Sequence, residues 1–78
     1  MLKKKPTLII TFATTTQAMA MESFCTRENL PGRLIPVPRE ITAGCGMAWS
    51  APPEARPQLE AFVKEQSITT AGWYELEL

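Results

Sequence analysis

The group best suited to chemistry in this chain is the thiol of Cys45, which stands between Gly44 and Gly46 with no bulky neighbour on either side. A thiolate is a strong nucleophile, and nearby positive charge or backbone N–H groups lower its pKa. Arg39 lies a short way upstream, next to Glu40, and Arg33 belongs to the preceding strand, from which it could face the same loop. A glycine-flanked loop can also turn successive amides towards an anion. Gly44 and Gly46 therefore offer backbone donors and clear access for a second protein's sulfur. The competing reading is structural: a Gly-Cys-Gly turn whose cysteine faces the core. The local sequence leaves both open.

The second thiol reads differently. Cys25 shares one helical face with Ala18 and Met21, which suits a small buried hydrophobe. A Cys25–Cys45 disulfide would be a solitary bridge. Two cysteines at no recognised spacing fit a reducing compartment better than a secreted scaffold.

Most other chemistry is excluded by inventory. The chain has no histidine, so Ser-His-Asp and Cys-His pairs are absent. Without histidine or a Cys-x-x-Cys pattern, no metal site is expected. Met19 and Met21 read as helix packing, because thioethers alone make a weak ligand set. There is no Gly-x-Gly-x-x-Gly and no phosphate loop, and no cofactor is expected. Glu75 and Glu77 are spaced for one face of a strand and read as a solvated face guarding a sheet edge. Eight Lys and Arg balance eight Asp and Glu, and the pI is near 6.2. A nucleic-acid binder normally carries a positive excess. Only Lys3-Lys4-Lys5 departs from balance, so nucleic acid is not an expected ligand. The longest mainly apolar run falls far short of the ~20 residues that span a bilayer, and no membrane association is expected.

The elements that must hold these residues follow from periodicity. With 78 residues the chain has room for one small domain, 1–78. Residues 7–13 alternate, with Leu8, Ile10 and Phe12 on one face and Thr7, Ile9 and Thr11 on the other, and read as a strand. Thr14 to Thr16 offer caps for a helix over 16–28. Asn29 can close that helix in the left-handed conformation, and Pro31 cannot continue it. A strand over 33–37 contains Pro36 and is followed by Pro38, so it should be an edge strand. A loop over 38–45 leads to a strand over 46–50, with Met47 and Trp49 on one face and Ala48 on the other. Pro57 suits the first turn of a helix over 56–66. Leu59, Phe62 and Val63 form its buried stripe, with Ala55 one turn earlier. Trp49 and Trp73 read as core residues. A strand over 72–77 ends the chain, with Tyr74, Leu76 and Leu78 facing one way and Glu75 and Glu77 the other. The order β-α-β-β-α-β predicts an α+β, ferredoxin-like sandwich: a four-stranded antiparallel sheet with two helices on one face. The crossovers should be right-handed. The first and third strands belong in the centre, the second and fourth at the edges.

The first twenty residues also have the outline of a secretory signal, with a basic start, an apolar stretch and Ala18-Met19-Ala20. The apolar part is short and interrupted by Thr11, and cutting after Ala20 would remove the best strand of the chain. The strand is the preferred reading.

At Thr15 to Met19, and at Ile35, Pro36, Pro38, Arg39, Ile41, Cys45 and Gly46, the chain resembles the putative selenium/sulfur carrier-like family of small bacterial proteins. Its members combine a strand and a Ser/Thr-rich approach to a helix carrying Ala-Met with a later Ile-Pro-x-Pro-Arg-x-Ile segment that runs into Cys-Gly. The resemblance covers nearly the whole chain. Where members often have serines after the isoleucine, this chain has Thr42, Ala43 and Gly44, and Asn29 stands where glycine is common. The resemblance implies that Cys45 receives sulfur or selenium and passes it on, with Arg39 and the loop amides stabilising the anion. It implies a cytoplasmic carrier without turnover of its own, working between a persulfide or selenium donor protein and an acceptor protein. The alternative is a non-catalytic interaction or regulatory module in which Cys45 is only a turn residue. In either case an edge strand would offer a route to a homo-oligomer.

Overall fold

A computed structural model describes residues 5–41 and 46–77. Its elements are strand β1 (Pro6–Thr11), helix α1 (Thr15–Arg27), strands β2 (Arg33–Pro36) and β3 (Met47–Ala51), a 3-10 turn (Pro53–Ala55), helix α2 (Arg56–Glu65) and strand β4 (Gly72–Glu77). The strands form one sheet in the order β2-β3-β1-β4, and every neighbouring pair is antiparallel. This is the ferredoxin-like α+β plan that the element order predicts. The apolar strands β1 and β3 take the centre. The proline-bearing β2 and the glutamate-bearing β4 take the edges, where a lost donor or an outward charge costs least.

Alternation along β1 splits the core in two. Leu8, Ile10 and Phe12 face a cluster with Ala18, Met21 and Cys25 of α1, Leu59, Phe62 and Val63 of α2, and Trp49 and Ala51 of β3. Both helices therefore cover the same sheet face. The other face, here the open face, carries Ile9 and Ala48 together with Ile41 from the loop after β2. Ile9 and Ile10 are both fully buried, so β1 is covered on both sides without help from a second helical layer.

The helix ends are set by short-range hydrogen bonding. The hydroxyl oxygen of Thr14 accepts from the Gln17 N–H at 3.2 Å, capping α1. The Thr14–Gln17 spacing is that of a capping box, but the Gln17 side-chain oxygen instead accepts from the Thr69 N–H at 3.1 Å. It thereby ties the start of α1 to the segment leading into β4. Both helices end in the same way. Asn29 and Ser67 are left-handed, at φ 58 and 57. Beyond them Leu30 donates to the Cys25 carbonyl, and Ile68 to the Val63 carbonyl, each at 2.9 Å.

Trp49 and Trp73 both pack with the helix-side core, Trp49 fully and Trp73 in part. The Trp49 indole donates to the Pro31 carbonyl at 3.2 Å. Met19 departs from the expected packing role. It is 59% exposed while Met21 is buried, because only the stripe of Ala18, Met21 and Cys25 turns to the sheet. Glu75 also departs from the reading of a purely solvated face. As cross-strand partner of Leu8 it points to the helix layer, where the Arg56 guanidinium bonds to it at 2.8 Å and to Glu60 at 3.0 Å.

Candidate functional site

The segment from Val37 to Gly46 is closed at its base by the β2–β3 ladder. Pro36 pairs with Met47, and one step further the Val37 N–H donates to the Gly46 carbonyl at 3.0 Å. Val37 succeeds in this because it is not proline, although prolines flank it on both sides. A turn follows: the Ile41 N–H donates to the Pro38 carbonyl at 3.0 Å, with Arg39 and Glu40 at the outside of the turn. Ile41 then folds back onto the open sheet face, where it is buried against Ile9 and Ala48, with Ile35, Val37 and Leu76 beside them. Thr42, Ala43, Gly44 and Cys45 lie outside the described residues. The chain on both sides of them is anchored, by the buried Ile41 before and by the Gly46 clasp after.

Gly46 has φ +81, a left-handed conformation that a side chain disfavours. Among the described residues a Cβ there would meet nothing within 4 Å, so the backbone conformation is what calls for glycine here. Arg39 is exposed and forms no ion pair among the described residues. Arg33, which the sequence allowed to face the same loop, does not. It opens β2 as the register partner of Ser50, roughly 10 Å along the strand from Pro36. Register, which a lone sequence does not reveal, sends it to the far end of the hairpin.

Cys25 is a free thiol, 1% exposed, so no disulfide ties it to Cys45. Burial pushes its pKa up to about 11, because a thiolate in an apolar core loses its hydration. It is a packing residue on the helix face. Among the described residues no group of three or more His, Cys, Asp or Glu is placed to hold a metal, and no helix is long and apolar enough to cross a membrane.

Two parts of the site escape a reading of residue types. The first is Ile41, which pins the loop to the open face; its signal is an isolated β-branched residue just after a polar turn. The second is the Val37–Gly46 clasp, which belongs to backbone pairing and leaves no trace in side-chain identity.

Over residues 7–75 the sequence matches a family model described as putative Se/S carrier protein-like. No curated protein and no solved structure matches it.

Proposed function

The chain belongs to the putative Se/S carrier protein-like family, and from that premise we propose that it carries sulfur or selenium on Cys45. The family match over residues 7–75 carries this reading. The anchored loop ends support it, as does Arg39, which is exposed and has no ion pair among the described residues. The Cys45 thiolate attacks the terminal sulfur of a donor's persulfide. The new S–S bond forms on Cys45 as the donor's S–S bond breaks, and the donor leaves as a thiolate that takes up a proton from solvent. With a terminal selenium atom on the donor, the same displacement leaves a selenosulfide. An acceptor thiolate then repeats the exchange and restores Cys45. No net oxidation or reduction occurs, so no cofactor is needed.

In this reading Arg39 offsets the negative charge of the bound persulfide. Gly44 and Gly46 leave the loop without side chains that would block a partner's cysteine. The donor is a desulfurase-type protein or its selenium counterpart, and exchange takes place in a reducing, cytoplasmic setting. The test is mass spectrometry after incubation with glutathione persulfide. The expected result is an added sulfur atom on the wild type and on Cys25→Ala, and none on Cys45→Ala. Equal loading of both variants, or no loading of the wild type, would sink the carrier reading.

One observation favours a second reading. Tyr74, 39% exposed, is the cross-strand partner of Ile9 and stands on the open sheet face, where an interaction module would present an aromatic anchor. Alkylation rate against pH separates the two: a Cys45 no faster than a free model thiol favours the module.

A further inference from the structure

At the end of the sheet away from the Cys45 loop, β3 leaves the sheet after Ala51 through Pro52 and Pro53, while the first residues of β1 and β2 flank the place it vacates. The result is an open notch of about 850 Å³, within the size range of small-molecule sites. Its lining is of two kinds. Pro6, Pro52 and Pro53 give apolar walls whose prolines have no N–H to donate. Lys5, Arg33 and Ser50 give the donors.

Neither Lys5 nor Arg33 forms an ion pair among the described residues, and the Ser50 hydroxyl has no hydrogen-bond partner there. Arg33 and Ser50 are register partners on adjacent strands, so their side chains share one sheet face. The Thr7 hydroxyl donates to the Lys5 carbonyl at 3.0 Å and so ties the backbone of Lys5 to the same wall. Among the described residues Glu54 is the one side-chain carboxylate lining the notch. Two cations against one side-chain carboxylate among the described lining residues give a positive bias in a chain whose total charges balance. Unpaired cations beside apolar walls lacking donors favour a ligand with an anionic head and an apolar body.

We propose that this notch binds a small organic oxyanion, a carboxylate or phosphate monoester on an apolar body. Arg33 and Lys5 hold the oxyanion, Ser50 hydrogen-bonds to it, and the prolines pack against the body. The site draws on the Arg33–Ser50 end of the β2–β3 pairing, three residue pairs from Pro36 and Met47, and uses no residue of the loop that joins the two strands.

Amide NMR of the full chain, titrated with phenyl phosphate, benzoate and inorganic phosphate, tests it. At least one aromatic anion is expected to shift the amides of Thr7, Gly32, Arg33 and Ser50 saturably, and the tighter of the two identifies the head group. Arg33→Gln and Lys5→Gln should each weaken binding by about tenfold, while Cys45→Ala leaves it unchanged. Both residues are exposed, and unshifted amides of Leu8 and Ile10 verify that the variants keep the fold. No saturable shift with either aromatic anion would overturn the proposal. So would undiminished binding by the double variant, or inorganic phosphate binding as tightly as the aromatic anions.

Discussion

At Gly32 the backbone adopts φ +121, and a Cβ would collide with the Trp49 indole nitrogen and come within 2.6 Å of the Ser50 carbonyl oxygen. Conformation and crowding both exclude a side chain. Gly32→Ala is expected to destabilise the protein by about 2–4 kcal/mol, read as a lower urea midpoint with altered Trp49 fluorescence. At Cys25 the same packing acts on a proton. Its thiol is raised from 9.0 to about 11 by burial, so the native state keeps a proton that the unfolded chain has already lost. The corresponding stability is fully present below about pH 9 and disappears as pH climbs through 11. Its size is on the order of 2–3 kcal/mol. Wild type should therefore lose more stability than Cys25→Ala between about pH 9 and 11. Parallel curves would mean that the thiol is not desolvated. Residue types alone placed Cys25 in the core and set Cys45 apart. They did not reveal that Gly32 carries as strong a constraint as Gly46, because its reason is an indole seventeen residues away.

The elements are held by caps of unequal quality. Asn29 tolerates the left-handed conformation that ends α1, whereas Ser67 adopts it at the end of α2 without that advantage. Ser67→Gly is expected to stabilise the protein by about 1 kcal/mol, and Asn29→Gly by less, both measurable as shifts in urea midpoint. An unchanged or lower midpoint for Ser67→Gly would mean that the hydroxyl contributes something the helix end does not require. The buried stripes of both helices were legible from spacing, since a period near 3.6 leaves few choices of face. Asn29 was legible as a closure because Pro31 follows it. Ser67 was not, since no proline or glycine stands near it and serine has no particular preference for φ above zero. Gln17 was also hidden: its spacing from Thr14 suggests a local role, and only the approach of Thr69 diverts it.

Across the whole molecule, the sheet divides labour between its faces. The helix side holds most of the core. The open side holds Ile9 and Ala48 under Ile41, which fastens the start of the β2–β3 loop to the centre of the fold. Ile41→Ala removes this plug and is expected to cost about 2–4 kcal/mol. Hydrogen exchange should show it first at Val37, whose N–H closes the loop. An unchanged exchange rate at Val37 would show that the clasp holds the loop without Ile41. Sequence by itself determined the element order and the central and edge strands, because alternation and proline placement act locally. Only the tertiary structure decided where those elements meet. It sent Arg33 away from the Cys45 loop to the notch beside Lys5, turned Glu75 towards Arg56, and brought Ile41 onto Ile9. Each of these depends on strand register and on contacts between residues far apart in the chain, and no single stretch of sequence encodes either.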